Sequence, residues 1–205
     1  MSHRTSLAVL IAASTLVAPR LTGAATWEID PAHTNVQFSV RHLMINNVRG
    51  EFGKVAGAVV ADEANPTAAR IEAAIETASV DTRNEKRDAD LRSANFLDVS
   101  KFPTISFRST KVEKAGDGKW KATGDLTLHG VTREVVLDVE ASAAPVKDPW
   151  GNTRAGAQAQ TKINRQDFGI TFNKSLDGGG VLVGDEVAIT IDVEVVKKAE
   201  PLAGQ

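Results

Sequence analysis

One stretch of the chain alternates apolar and polar residues on both sides of a His-Gly pair: Trp120-Lys-Ala-Thr-Gly-Asp-Leu-Thr-Leu-His129-Gly130-Val-Thr-Arg-Glu-Val-Val-Leu-Asp-Val-Glu140. A period of two residues is typical of a strand that buries one face and exposes the other. Gly130 can adopt a positive φ, so the pair His129-Gly130 can close a tight turn between two such strands. This stretch therefore predicts a β-hairpin with one apolar face.

The same alternation recurs along most of the chain after Trp27. Glycines interrupt one alternating segment, Val48–Ala61, which predicts a bent strand or a β-bulge there. With the two arms of the hairpin, the segments amount to about eight strands, the number that closes a small antiparallel barrel. The other alternating segments are Asn35–Arg41, Arg70–Val80, Thr104–Thr110, Arg154–Ile163 and Val187–Val195.

One segment departs from the strand pattern and predicts a short helix. The sequence Thr82-Arg-Asn-Glu85 has the spacing of a capping box, in which a threonine and a glutamate satisfy free amides at a helix start. We expect the helix over Glu85–Ala94, with its charges of both signs on a solvated face. A binding role for Arg83, Arg87 or Arg92 is the alternative interpretation.

The composition excludes several classes of function. The chain has 205 residues and a formal net charge of −2, which argues against nucleic-acid binding because that function usually needs a basic surface. The absence of cysteine excludes disulfides, thiolate metal sites and cysteine catalysis. No stretch after the first 25 residues is apolar enough for a stable membrane span. We expect one barrel domain over residues 26–197 and a flexible tail over residues 198–205.

Residues 1–25 have the pattern of a cleavable export signal. Arg4 precedes the apolar run Leu7–Ala18, and small residues occupy the positions that a signal peptidase recognises. We therefore expect the mature chain to begin at Ala25 or Thr26 and the protein to work in the periplasm. An uncleaved anchor is the alternative, but the apolar run is short for crossing a bilayer.

The predicted inward faces combine small and large apolar residues. Small residues leave volume and large ones line it, which predicts an apolar pocket, the usual kind of small-molecule site. The alternative is a solid core, with a partner bound on the outer surface. The small residues are Ala73, Ala122, Gly124, Ala155, Ala157 and Ala159. The large residues are Phe38, Phe107, Leu126, Leu128, Val135 and Leu137.

Few residues suggest chemistry. His33, His42 and His129 supply a second hypothesis, a histidine-based metalloprotein or enzyme, although nothing in their spacing forces them to converge. The serines have no nucleophile-elbow context. The run Asp177-Gly-Gly-Gly180 predicts a flexible loop, with a phosphate-binding nest as the alternative. We therefore expect no enzyme activity, no catalytic residue, no metal and no cofactor.

The order of motifs from about Trp27 to Val196 resembles the YceI-like family. The first motifs are Asp30-Pro-Ala-His33-Thr-Asn-Val36-Gln-Phe38, His42 and Val48-Arg-Gly50-Glu-Phe52. The middle motifs are Ser79-Val-Asp-Thr82, Arg87-Asp88-Ala-Asp-Leu91, Asn95-Phe96-Leu-Asp98 and Phe102-Pro103. The last two are Gly124-Asp-Leu126-Thr-Leu128-His-Gly130-Val-Thr132-Arg133 and Ile163-Asn-Arg165-Gln-Asp167-Phe168-Gly169.

The resemblance implies an all-β fold, an eight-stranded antiparallel lipocalin-like barrel with one short helix. It also implies an exported, non-catalytic protein whose apolar channel holds a polyisoprenoid or another long amphiphilic lipid. The oligomeric state stays open, with a homodimer as one option. The residues that we expect to contact the ligand are Phe38, Val40, Phe52, Phe107, Leu126, Leu128, Val135, Leu137 and Phe168.

Seven charged or titratable residues belong to these motifs and allow two interpretations. They can pair with one another and hold loops in place, or they can meet the head group of a ligand. The structural role is favoured because buried charges usually need partners. These residues are Asp30, His33, Arg87, Asp88, Arg133, Arg165 and Asp167.

Overall fold

The computed structural model describes residues 23–142 and 144–199. In this part of the chain twelve β-strands, one α-helix and two short 3-10 helices are formed, and every strand pair is antiparallel. The predicted all-β class is therefore confirmed. Most of the predicted export signal (residues 1–22) and most of the predicted tail (residues 200–205) lie outside the described residues.

The first six strands are β1 (Ala25–Ile29), β2 (Asn35–His42), β3 (Asn46–Phe52), β4 (Val55–Asp62), β5 (Asn65–Glu76) and β6 (Val80–Asp81). The other six are β7 (Thr104–Gly116), β8 (Lys119–Leu128), β9 (Val131–Ala141), β10 (Val146–Lys147), β11 (Thr153–Asn164) and β12 (Val183–Lys197). The helix α1 spans Glu85–Arg92, and the 3-10 helices span Thr77–Ser79 and Arg165–Phe168.

The strands close into a barrel with eight positions in its wall. Around the wall these positions are β12, β1 with β2, β3 with β4, β5 with β6, β7, β8, β9 with β10, and β11. The pairing of β11 with β12 over eleven residue pairs closes the circle. Four positions thus contain two consecutive strands, and closure removes the exposed edges that an open sheet would leave.

The hairpin predicted around His129-Gly130 is confirmed. His129 has a φ of 52° and Gly130 a φ of 74°, and Leu128 pairs with Val131 across the turn. Two positive φ values match the tight turns that suit the twist of β-hairpins. A Cβ atom at Gly130 would lie 2.4 Å from Cε1 of Phe102, so packing also requires glycine there.

The predicted helix is present, but its N-terminal cap is not the one expected. Asn84 is the N-cap and accepts a hydrogen bond from the amide of Arg87 at 3.0 Å. Arg83 has a φ of 61°, which turns the chain and places Thr82 outside the helix. The Thr82 hydroxyl instead donates to the buried Asp88 carboxylate at 2.5 Å. The prediction of a capping box is therefore wrong, and the helix ends at Arg92 instead of Ala94.

The two ends of the barrel differ. The end that carries α1, the β2–β3 turn and the β8–β9 turn is called the helix end, and the end with the β4–β5 and β7–β8 turns is called the far end. The buried apolar cluster lies towards the helix end, where it packs under α1 and the segment that follows it. Its members are Val80, Leu97, Ile105, Leu128, Ile163, Phe168 and Ile170. Within the described ranges, no helix has the length and apolar character needed to cross a membrane.

Candidate functional site

A cavity of about 1110 Å³ occupies the interior of the barrel. Strand β12 shows its extent, because every second residue from Val187 to Lys197 faces it. Ten residues of extended strand span about 33 Å, so the cavity runs along the barrel and is not a local pit. The inward-facing side chains therefore do not fill the interior, and the solid-core alternative is wrong.

The wall of the cavity is apolar except at its ends. At the helix end it includes Arg41, His42, Arg87 and Asp90, together with the buried Arg165. At the far end it includes the charged residues Asp62, Glu63 and Lys197. Between these ends the wall is almost entirely aliphatic and aromatic. An apolar channel with polar groups at its openings fits a long chain better than a compact polar molecule.

Eight of the nine residues predicted to contact a ligand line this cavity. They are Phe38, Val40, Phe52, Phe107, Leu126, Leu128, Val135 and Leu137. Phe168 does not line it, because this residue lies in a 3-10 helix and is only 2% exposed within the buried cluster. Ile170 and Phe172, which follow it in the chain, form that part of the wall instead. Contact with a ligand remains a prediction for all nine residues.

The predicted set omitted much of the wall. Trp27 from β1, Trp120 from β8 and the whole inward face of β12 also line the cavity. The apolar–polar alternation of β12, followed to the last residue of the strand, would have identified its inward-facing residues. The small residues Ala73, Ala122, Ala155, Ala157 and Ala159 line the cavity as well, which leaves the volume that larger side chains would occupy.

Glycines position two of the aromatic rings in the wall. Phe38 lies directly opposite Gly50 in the β2–β3 pair, and a Cβ atom at Gly50 would lie 2.5 Å from Cζ of Phe38. The ring of Phe107 likewise lies 2.6 Å from the Cβ position of Gly124. Each ring therefore leans over the neighbouring strand, in space that only glycine leaves open. Phe38 also packs on Phe52, with ring centroids 5.7 Å apart.

Arg165 is a structural residue at the helix end. Its guanidinium is 4% exposed, and all five N–H groups have protein partners. Burial lowers the pKa of this guanidinium, against the opposing effect of Asp185. A side chain with no spare donor cannot also hold a head group. Its acceptors are the carbonyl oxygens of Ile170, Phe172, Val183 and Gly184 and the carboxylate of Asp185.

The other motif charges near the helix end also bind the protein. Asp88 accepts hydrogen bonds from the amide and hydroxyl of Thr82 at 2.9 and 2.5 Å. Arg87 donates to the hydroxyl and carbonyl oxygens of Thr82 at 2.7 and 2.8 Å while its side chain borders the cavity. Arg133 donates to the carbonyl oxygen of Asp167 at 3.2 Å. These contacts hold α1 and the β11–β12 connection over the end of the barrel.

The three histidines do not come together. His33 precedes β2 and His42 ends it, and Asn35 to His42 alone spans about 23 Å of extended strand. His129 Nδ1 lies 3.2 Å from the carbonyl oxygen of Phe168, and its ring packs on Phe102 at 4.5 Å between centroids. The geometry therefore does not support a metal or catalytic centre built from all three.

His33 does lie beside two carboxylates. Among the described residues, it forms with Asp30 and Glu194 a group whose potential ligand atoms lie within 4.8 Å of one another. However, the Arg154 guanidinium donates to Asp30 at 2.7 Å and to Glu194 at 2.5 Å. The group is therefore an ion-pair cluster on the wall of the barrel that already contains its cation.

Comparison of sequences identifies the relatives of this chain. Residues 27–195 match the family profile described as YceI-like domain. The protein YceI of Salmonella newport is 41% identical over 177 residues, which cover 85% of this chain and 88% of that protein. A UPF0312 protein of Vibrio cholerae is 39% identical over 169 residues, which cover 82% of this chain and 88% of that protein.

Solved structures share the fold. The YCEI protein of Campylobacter jejuni is 32% identical, with a TM-score of 0.65 and coverage of 77% of this chain and 90% of that one. BcnA of Burkholderia cenocepacia is 22% identical, with a TM-score of 0.71 and coverage of 81% and 98%. A polyisoprenoid binding domain from Saccharophagus degradans is 14% identical, with a TM-score of 0.62 and coverage of 85% and 99%. With its profile match, its relatives and its barrel in agreement, the chain belongs to the YceI-like family.

Proposed function

We propose that this protein is an exported carrier that holds a polyisoprenoid or another long amphiphilic lipid in its barrel, without catalysing a reaction. The observation that carries the proposal is the apolar cavity of about 1110 Å³ that runs along the barrel. The similar fold of a polyisoprenoid binding domain from Saccharophagus degradans supports this class of ligand.

The size of the cavity agrees with a long chain. Ten residues of β12 that border the cavity span about 33 Å, which is a length that suits an extended hydrocarbon chain. Each buried methylene contributes about 0.8 kcal/mol, so affinity would come from contact along the whole chain. The charged residues at the openings leave a place in water for a polar head.

The side chains that line the cavity support the proposed absence of catalysis. In the described part of the chain, the middle of the cavity is lined mainly by hydrocarbon side chains, with a few neutral polar ones such as Gln37 and Thr161, and it has no histidine or carboxylate to act as acid or base. At the helix end, the side chains of Arg87, Asp90 and Arg165 are engaged by protein partners. Such groups hold loops in place and are poorly placed to move protons.

The proposed location is the periplasm. It rests on the export signal predicted over residues 1–25 and on a ligand class that occurs in membranes of the cell envelope. Fractionation of cells followed by N-terminal sequencing tests this proposal. We expect a chain that begins at Ala25 or Thr26 in the periplasmic fraction. Absence of the protein from that fraction would contradict the location, and an intact Met1 on protein from that fraction would contradict cleavage of the signal.

Two neighbouring residues of β9 provide a matched test of the ligand site. Leu137 lines the cavity, whereas Val136 is 41% exposed on the outer face. The variant Leu137→Asp would place a carboxylate against the apolar chain, which should cost several kcal/mol of binding. Val136→Asp adds the same charge where water solvates it and should bind normally.

The measurement is organic extraction and mass spectrometry of lipid from the purified wild type and both variants. Circular dichroism first establishes that each variant is folded. Wild-type protein that carries no lipid and takes none up on addition would refute the carrier function. Equal lipid content in wild type and a folded Leu137→Asp variant would show that the cavity is not the lipid site.

A further inference from the structure

The tip of the β2–β3 hairpin exposes large apolar side chains. The tip consists of Leu43, Met44 and Ile45. The Ile45 side chain is 76% exposed and that of Met44 is 39% exposed. Solvent-facing hairpin tips are usually polar, and turn positions favour glycine, asparagine and aspartate. Burial in the barrel therefore does not explain why these residues are apolar.

The backbone conformation of the tip also disfavours large apolar residues. Leu43 has a φ of 51° and Met44 a φ of 62°, a left-handed conformation that large side chains seldom adopt. Residues that are held in such a conformation often have a functional reason. The tip is well held, because the Leu43 amide donates to Leu182 O at 2.9 Å and Arg41 Nε donates to Met44 O at 3.1 Å.

The tip borders an opening of the cavity. Arg41 and His42, which precede it in the chain, line the cavity at the helix end. Leu182, whose carbonyl accepts the hydrogen bond from Leu43, also lines the cavity. Arg41 is exposed and His42 is half-buried, so the wall of the cavity lies close to the surface of the protein here. An apolar surface that the tip engages would therefore lie directly against this opening.

The hairpin that carries the tip has a positive charge. Residues 31–50 include Arg41 and Arg49 and contain no aspartate or glutamate. The adjacent segment contributes Lys174, whose carbonyl accepts a hydrogen bond from the Leu182 amide at 2.8 Å, and also the exposed Asp177, so basic residues around the tip outnumber acidic ones by three to one. The opposite opening has the reverse balance, with Asp62 and Glu63 against Lys197. The two openings thus differ in the sign of charge that they favour.

We propose that the tip Leu43–Ile45 docks the protein on an anionic lipid bilayer, so that the opening at the helix end faces the membrane. Met44 and Ile45 enter the boundary between head groups and acyl chains, while Arg41, Arg49 and Lys174 meet lipid phosphates. The inference rests on the proposed function, because a long apolar ligand partitions into bilayers and must be exchanged there.

The far end offers an internal control. Trp150, in the connection between β10 and β11, is 81% exposed, more than any apolar residue of the tip. It lies towards the opening whose charged residues are mainly acidic, which an anionic surface repels. Exposure alone would make Trp150 the stronger membrane contact, whereas charge and position favour the tip. A comparison of the two sites therefore separates the two explanations.

The experiment uses the absence of cysteine from the sequence. The full chain is prepared as Ile45→Cys and, separately, as Trp150→Cys, and each unique thiol is labelled with an environment-sensitive nitrobenzoxadiazole dye. Each labelled protein is titrated with vesicles of phosphatidylcholine alone or with added phosphatidylglycerol. We expect a blue shift and brighter emission at position 45 with the anionic vesicles and no comparable change at position 150.

The contribution of positive charge to membrane binding is tested with the same labelled protein and the same vesicles. Arg49→Gln in the Ile45→Cys protein should weaken partitioning to anionic vesicles about fivefold. Added salt should weaken it further. No vesicle response at position 45, an equal response at position 150, or a response that anionic lipid does not strengthen would each overturn the proposal. A dye at position 45 that responds only to envelope proteins would assign the tip to a protein partner instead.

A separate readout distinguishes this inference from the proposed function. Uptake of a fluorescent polyene fatty acid by the labelled proteins is measured in solution without vesicles, which reports on the cavity. Uptake without a vesicle response at position 45 would overturn docking and leave the carrier function standing. A vesicle response without uptake would support docking and count against the carrier function.

Discussion

Nη1 of Arg154 lies 2.7 Å from Oδ2 of Asp30, although 124 residues separate them in the chain. The same guanidinium donates to Asp148 at 2.7 Å and to Glu194 at 2.5 Å. One cation thus ties the bend between β1 and β2 to β11, to β12 and to the loop that precedes β11. Hydrogen bonds from Arg154 and then His33 lower the pKa of Asp30 to about 2, and Arg154 also lowers the pKa of Asp148.

The lowered pKa of Asp30 predicts a loss of stability in acid. The unfolded carboxyl titrates near pH 3.9, so the charged form favours the folded state above that pH. This contribution is lost as the pH falls from about 4 to about 2. The stability difference between wild type and Asp30→Asn should therefore be largest near neutral pH and shrink across this window.

Thermal unfolding followed by circular dichroism at several pH values checks this prediction. Glu28→Gln is the control, because it removes an exposed ion pair with Lys198 and should cost little at neutral pH. If the difference between wild type and Asp30→Asn stays constant down to about pH 2, the Asp30 charge does not stabilise the fold.

A second prediction concerns Arg165. Replacing it with methionine would remove the guanidinium donor from the carbonyl oxygens of Ile170, Phe172 and Gly184, while Val183 O keeps the hydrogen bond from Asn173, and the loss should cost about 3 kcal/mol or more of unfolding free energy. Arg133→Met is the matched control, since Arg133 is exposed and makes one hydrogen bond to Asp167, and it should cost less than about 1 kcal/mol. Urea unfolding gives both values, and equal costs would argue against the structural role of Arg165.

The barrel could be predicted because alternation reports which face of each strand is buried. The hairpin at His129-Gly130 and the break between β3 and β4 both follow from local sequence, as does the inward direction of Leu126 and Leu137. Phe168 was expected from the family motif and not from alternation, and it lies in a 3-10 helix that does not border the cavity. The sequence therefore predicts which side chains face the interior only where the secondary structure of the segment is already known.

Contacts between distant parts of the chain were not predictable in this way. The pairing of Arg154 with Asp30 depends on the register of β1 and β11 on β12, which no local pattern specifies. The capping error has a similar origin, because Asp88 competes with the helix for Thr82. Both outcomes depend on three-dimensional partners that a single sequence does not reveal.

A third prediction concerns the glycine opposite Phe38. Gly50→Ala would place a Cβ atom 2.5 Å from the Phe38 ring and 2.6 Å from Cγ2 of Thr82, so the ring must move. We expect a loss of about 1 to 3 kcal/mol of unfolding free energy, typical of overpacking. Gly156→Ala is the control in β11, where the nearest atom would be Val193 O at 3.6 Å. Equal stability of the two variants in urea unfolding would show that the Phe38 ring can move aside without a loss of unfolding free energy.

The last prediction tests the channel by shortening it. Ala159 lines the cavity near the middle of β11 and is 6% exposed, so Ala159→Phe would put a ring into the path of a long chain. Gln160→Phe is the control, because Gln160 is the next residue and faces solvent.

We expect Ala159→Phe to lose affinity in proportion to the length of the ligand. Each methylene that no longer fits forfeits about 0.8 kcal/mol, so two displaced methylenes weaken binding more than tenfold. Short chains that occupy one half of the channel should bind almost normally. Titration of a series of fatty acids of increasing length into both variants, followed by calorimetry, gives the comparison. If Ala159→Phe weakens short and long chains by the same factor, the ligand does not extend past the middle of the barrel, and the continuous channel is not the binding site.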